Sequence, residues 1–258
     1  MKNFKKLYII LLLLLYSLAG YSQAFQSGEY FKFQISYGIV NAGVATLSLN
    51  ETTYDGKKVY HAKGNGYTTG ITKTMFKVQD DYQSYFDLST GKPYRFIRKI
   101  NEGGYTKNEE GFFQYNKNNV LVKDHKRNIQ KNFSVSNKNI QDIISSFYYL
   151  RNHTGIKGMK KGEMIEIDMF FDDEVYKFKL KLLGKEEIKT KFGKIKTLKF
   201  RPYVQSGRVF KEEESLTIWV SDDENKIPVK LQASLLVGSL KAELVDYKGL
   251  RNKTTLKK

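Results

Sequence analysis

The chain holds three histidines, His61, His125 and His153, and no cysteine. A zinc site needs two imidazoles at a spacing that brings them to one face, as in H-x-x-x-H or H-E-x-x-H. None of the three has such a neighbour, so each reads as a structural or exposed residue. Ser145 and Ser146 precede His153, which suggests a nucleophile and its base. Ser146 and His153 are seven residues apart, which puts them on one helical side but about 10 Å apart along the axis. That is beyond hydrogen-bond reach, and no G-x-S-x-G elbow is present. Paired acids occur at Asp80-Asp81, Asp172-Asp173 and Asp222-Asp223. Adjacent residues on a strand face opposite ways, and on a turn they are solvated, so no pair stands out as a glycosidase couple. Gly66 to Gly70, followed by Lys73-Thr74, misses the G-x-x-x-x-G-K-[ST] spacing, and a nucleotide site is rejected there. The expectation is a protein without catalytic residues, metal or cofactor.

These residues must be carried by a scaffold, and one stretch organises it. Asn139 to Asn152 (NIQDIISSFYYLRN) is the one convincing helix after the first 22 residues. Ile140, Ile143, Ile144 and Phe147 fall at i, i+3, i+4 and i+7. Asn139 sits at the N-cap position and Asp142 in the first turn. Arg151 lies in the last turn, and Gly155 can stop the run. Tyr148, Tyr149 and Leu150 broaden the apolar surface, so the helix should be covered on most sides by the concave face of a curved sheet. Two roles stay open for Asp142 and Arg151. One is service to the helix dipole alone; the other is pairing of Arg151 with a buried strand carboxylate, which fixes the helix in the sheet.

Residues 1–22 read as a secretory leader. Lys2, Lys5 and Lys6 precede an apolar run, Leu7 to Leu15, and Gly20-Tyr21-Ser22 offers a cleavage site. Without cysteine there is no lipoprotein anchor, disulfide or thiolate site. The formal charge of +17 becomes +14 once the leader's three lysines are removed. The excess is mostly dispersed lysine, as on solvated outer faces and protected sheet edges. It can also draw the protein to an anionic envelope polymer or membrane surface. Export removes the protein from the chromosome and no nucleic-acid motif occurs, so nucleic acid is not an expected partner.

The rest alternates. Glu29 to Tyr37 places Phe31, Phe33, Ile35 and Tyr37 on one face. Tyr54-Asp55-Gly56 has hairpin-turn chemistry. Asn65 to Lys77 reads as a loop with one short helical turn. Met164 to Phe171, Val175 to Leu183, Leu216 to Val220 and Ser234 to Val245 continue the pattern. Arg251 to Lys258 reads as a disordered basic tail. The fold class expected is mainly β: antiparallel, strongly curved sheets or a half-barrel around one central helix at about 139–152. A single domain is expected over 23–250.

Several stretches resemble an exported bacterial family, domain of unknown function 3108. They are Asp142 to Arg151 (DIISSFYYLR), Leu183 to Glu186 running to Phe192-Gly193, and Trp219 to Asp223 through Ile227-Pro228-Val229. Gly38 to Gly43 and Tyr85-Phe86-Asp87 with Pro93 fit as well. The resemblance spans nearly all of residues 25–250, with the pieces in the same order. It implies an exported, sheet-rich envelope protein without an established activity. Analogy with curved-sheet lipoprotein carriers is at the level of fold alone.

The function expected is a non-enzymatic binding or carrier module of the periplasm or cell envelope. Its ligand would be apolar or lipid-like, enclosed by Ile143, Ile144, Phe147, Tyr148 and Arg151. The alternatives are an envelope structural or interaction protein with a filled core, and a glycan-acting enzyme. The carrier reading requires an interior hollow beside the helix.

Overall fold

A computed structural model describes residues 23–136, 138–204, 216–236 and 238–257. The proposed leader lies outside the described residues. Fourteen strands form one antiparallel sheet. They are β1 (Glu29–Tyr37), β2 (Val40–Tyr54), β3 (Lys57–Thr68), β4 (Gln79–Asp87), β5 (Pro93–Glu102), β6 (Tyr105–Gln114) and β7 (Asn119–Asp124). Then come β8 (Ile129–Ser134), β9 (Met164–Phe171), β10 (Glu174–Thr190), β11 (Gly193–Val204), β12 (Leu216–Ser221), β13 (Pro228–Ser234) and β14 (Ser239–Lys248). The spatial order is β8-β7-β6-β5-β4-β3-β2-β1-β14-β13-β12-β11-β10-β9. Two meanders therefore meet where β1 pairs with β14.

Alternation sets which face each strand buries. On β1, Phe31 and Phe33 are buried while Lys32 and Gln34 are half-buried on the other side. The β2–β3 hairpin turn uses Asp55 and Gly56 at φ 49° and 72°, the left-handed pair that matches strand twist.

No ladder joins β8 to β9 among the described residues, so the sheet is not closed by backbone bonds. Its two ends nevertheless meet. The ring of Phe133 on β8 lies 5.5 Å from that of Phe170 on β9, and Lys131 Nζ lies 3.3 Å from Asp173 beyond β9. A fourteen-strand row whose first and last strands touch must curl back on itself.

Two helices are described, the short helical turn expected within 65–77 and the aromatic helix. α1 (Gly70–Met75) buries none of its residues. α2 (Ile143–Asn152) starts later than the expected 139, because Asp142 and not Asn139 is the N-cap. Asp142 Oδ1 accepts from the amides of Ile144 and Ser145 at 2.8 Å each, and the Asp142 amide donates to Ser145 Oγ at 2.9 Å. This reciprocal box satisfies amides that the first turn leaves unpaired. Asn139 lies in a turn instead, and Gln141 bridges to Met169 of β9. The Gln141 amide donates to Asp168 O (2.9 Å) and Gln141 O accepts from the Phe170 amide (2.8 Å), which covers part of the β9 edge. The later start shifts the buried stripe. Ile140 is buried ahead of the helix, Ile143 is 38% exposed, and Ile144, Phe147, Tyr148 and Arg151 face inward.

The basic tail is also corrected. Leu256 is buried with Phe192 and Tyr247, its carbonyl accepts from Tyr247 Oη (2.9 Å), and the Lys257 amide donates to Phe192 O. One leucine in an otherwise polar segment is enough to dock it.

Candidate functional site

α2 touches β3, β4 and β9. Tyr148 enters an aromatic cluster with its ring 4.9 Å from Phe25 and 5.4 Å from Phe86. Phe147 packs between that cluster and a second one around Phe31 and Phe33. Leu150 and Tyr149 lie against Ile165, Ile167 and Leu180. Most of the aromatic surface of the helix is thus spent on core packing.

Arg151 is 3% exposed and Glu29, at the start of β1, is 1% exposed. The guanidinium forks onto the carboxylate, Nη1 to Oε1 at 2.5 Å and Nη2 to Oε2 at 2.8 Å. Its Nε donates to Asn225 O (2.9 Å) and Nη2 also to Ala24 O (3.0 Å). The rings of Phe25, Phe31, Phe147 and Tyr148 surround it at 5.2–5.7 Å. Burial pushes the Glu29 carboxyl above its ordinary range, and the facing guanidinium opposes that rise. Of the two roles open for Arg151, the buried strand partner is the one realised. The bonds extend further. Asn225 Nδ2 donates to the carbonyls of Asn252 and Lys253, Asn252 Nδ2 to Gln23 O, and the Ala24 amide to Asn152 Oδ1. The helix, the stretch 24–29 and the Asn225 turn meet at one cation, and residues 252–253 join through Asn225. With four hydrogen bonds made and rings around it, Arg151 locks α2 to β1 and to the Asn225 turn.

At the other end of the helix, Asp142 is buried and also accepts from Ser84 Oγ at 2.6 Å. Burial raises its pKa to about 6 against the hydrogen bonds from Ser84 and the two amides. Beside it, Tyr82, Phe96, Ile97, Arg98, Ile143, Ile144, Phe170 and Phe171 line a cleft where the sheet ends approach. Its free volume is about 20 Å³, the room of one water and far too little for an acyl chain. Ile143 and Ile144 are therefore together on a cleft, whereas Phe147, Tyr148 and Arg151 are core. Near Tyr148 and Tyr149 a hollow of about 260 Å³ opens past Asp87 to Thr90 and His153. Phe25, Phe86 and Leu88 share its lining with the polar side chains.

The seam between the sheet ends carries a charge cluster. Asp172 was expected to be a solvated turn acid. Its Oδ1 instead pairs with Arg98 and with Lys107 Nζ, the latter at 2.6 Å, and Lys107 also reaches Glu109 at 3.2 Å. Burial raises the Asp172 carboxyl, but the bonds from Lys107 and Arg98 outweigh it and hold it below the usual range. The Arg98 guanidinium stacks 4.2 Å over Phe171. These side chains tie the end of β9 and the turn after it to β5 and β6.

The residues weighed for catalysis do not converge. Ser145 serves the cap, and Ser146 Oγ donates to Ile143 O. His153 Nδ1 accepts from the Gly155 amide, His61 bonds Gln83, and His125 faces Glu110. Among the described residues no three His, Asp or Glu side chains group as a metal site.

Residues 32–245 match the family described as protein of unknown function DUF3108. The chain belongs to that family. This DUF3108 protein matches no curated protein. Among solved structures it is similar to a β-barrel-like protein of domain of unknown function DUF1849 from Brucella abortus. That likeness has 10% identity and a TM-score of 0.57, over 88% of this chain and 100% of the other. It is also similar to a DUF1089 family protein from Pseudomonas aeruginosa, at 11% identity and TM-score 0.38, over 81% and 92% of the two chains. A third is an exported protein with YmcC-like fold from Bacteroides fragilis, at 9% identity and TM-score 0.30, over 87% and 97%. The first shows a shared fold and nothing about activity.

Glu29 and Asn225 are the functional positions that sequence reasoning missed. A signal for Glu29 existed: it lies two residues before Phe31 and so on the apolar face of its strand, where a lone carboxylate needs a partner. Asn225 had none, because it contributes a backbone carbonyl.

Proposed function

We propose that this DUF3108 protein is an exported, non-enzymatic protein of the cell envelope that acts through its surface. In this reading α2 is the peg about which the curled sheet is wound, and its apolar face is core. The observation that carries the reading is the way α2 is consumed. Tyr148 and Arg151 are buried, Phe147 bridges two clusters, and the cleft at Ile143 and Ile144 has room for about one water. A lipid carrier needs several hundred Å³ of apolar space. The carrier reading keeps one support: the sheet ends are held by side chains without a ladder, so the cleft at Ile143 lies where the wall could part.

The test is extraction of the protein, purified from envelopes of its own host, followed by lipid mass spectrometry. Filled-core packing predicts no stoichiometric acyl ligand. One acyl lipid per chain would overturn it in favour of the carrier.

A further inference from the structure

Antiparallel order sorts the turns onto two rims. Along β5-β4-β3-β2-β1-β14-β13, one rim holds the turns at 38–39, 103–104 and 235–238 and the segment 69–78 with α1. Backbone bonds tie these together: the Gly38 amide to Ser239 O, Thr69 to Ala42 O and Gly103 to Lys77 O. Seven neighbouring strands at about 4.8 Å spacing make this rim about 29 Å wide.

Most exposed large apolar side chains of the described residues sit there. Ile39 and Leu236 are fully open (102% and 97%), Met75 is 81% and Ile71 69% exposed, and Phe76 and Tyr105 are more than half exposed. The opposite rim exposes Met164 as its large apolar residue among those described. Side chains standing free on turn tips are not explained by folding, because they contact no core.

The charges beside them are basic. Lys73 and Lys77 line a groove of about 480 Å³ with Asn65, Tyr67, Thr68 and Asp80 between α1 and the ends of β3 and β4. Lys241 stands opposite Ser36 two positions below the 38–39 turn. The acids nearby are Asp80 and Glu102. Burial first, and the bond from Asp80 second, hold Glu102 above its usual range.

We infer that this rim docks on an anionic lipid bilayer, with Ile39, Ile71, Met75 and Leu236 entering the interface and Lys73 and Lys77 meeting headgroup phosphates. Apolar tips distinguish this occupant from a soluble polyanion, which would leave them in water, and the lysines suit anionic over neutral lipid. The inference rests on the surface-acting reading above but fails separately from it. Loss of rim binding leaves a filled core intact, and an acyl ligand inside leaves rim binding intact.

Vesicle flotation tests it with the full exported protein, on phosphatidylglycerol-containing vesicles and on phosphatidylcholine alone. Binding to the anionic vesicles, at least about tenfold weaker on the neutral ones, is expected. Ile39→Ser/Met75→Ser/Leu236→Ser should lose at least about tenfold, since each side chain's burial is worth that much. Lys73→Glu/Lys77→Glu should lose binding at low salt. Circular dichroism and Tm should stay unchanged, because all five positions are exposed or rim residues. No binding by the wild type, or equal binding by the serine variant, overturns the inference. Sedimentation adds one further outcome: a dimer that the serine variant splits into monomers, without vesicle binding, would assign the rim to a second copy of this chain.

Discussion

Replacing Arg151 with methionine isolates the lock between helix and sheet. Methionine keeps much of the stem that packs against Phe147 and Phe31 but removes every donor. Glu29, 1% exposed, then keeps its charge without a partner, and the carbonyls of Ala24 and Asn225 each lose a bond. Breaking one partner of a buried pair costs about 3–5 kcal/mol. A domain of this size has about 5–15 kcal/mol in total, so Arg151→Met should be folded but marginal at pH 7. The double variant Glu29→Gln/Arg151→Met, with the stranded charge gone, should recover at least about 1–2 kcal/mol. The sign with pH follows. Burial already holds the Glu29 carboxyl above its ordinary range, and loss of the guanidinium raises it further. A group raised in the folded state contributes stability that is present below its unfolded value and lost as pH rises through the folded one. The single variant's defect should therefore shrink toward pH 4, and the double variant's should not. Urea unfolding followed by Trp219 fluorescence and far-ultraviolet dichroism reads both. A cost under about 1 kcal/mol at pH 7, or a defect that the second substitution leaves untouched, refutes the assignment of a buried charged lock.

Four further outcomes are expected. Asp142, raised from 3.8 to about 6, contributes stability below pH 4 that declines toward pH 7, by about 3 kcal/mol at most; Asp142→Asn keeps the cap and should flatten the urea midpoint between pH 4 and 7. Tyr148 Oη is buried with no hydrogen-bond partner, so Tyr148→Phe should leave Tm unchanged or raise it, by about 1 kcal/mol at most. Asp172→Ala leaves Arg98 and Lys107 with Glu109 as their remaining carboxylate; amide exchange should quicken in β9 and where it meets β5 and β6, while β1 and β14 stay protected. Leu256→Ala should cost about 2–4 kcal/mol in the denaturation midpoint despite its place in a polar tail.

Local pattern carried much of the architecture. Strict alternation at Glu29 to Tyr37 and the Asp55-Gly56 turn announced an antiparallel meander, and both are present. One aromatic helix near 139–152 was legible, but its start was not. Asn139 and Asp142 are both competent caps, and the choice went to Asp142 because Ser145 completes its box while residues 140–141 have a strand edge to cover. The tail was misjudged because lysine and threonine outnumber its single anchoring leucine. Asp172 was misjudged because turn chemistry is local, whereas Arg98 and Lys107 come from strands far away in the chain.

Residue order alone determined that strands dominate, which face of each strand is apolar, and that one aromatic helix interrupts them; side-chain alternation is a property of neighbours and survives without any knowledge of the fold. Tertiary structure alone decided that Arg151 meets Glu29, 122 positions away, that the two sheet ends touch through Phe133 and Phe170, and that the cleft at Ile143 and Ile144 has room for about one water. The physical reason is that hydrophobic periodicity specifies burial but not partner. A buried charge or ring is satisfied by whichever complement the sheet register delivers to it, and that register emerges only when the fourteen described strands are in place.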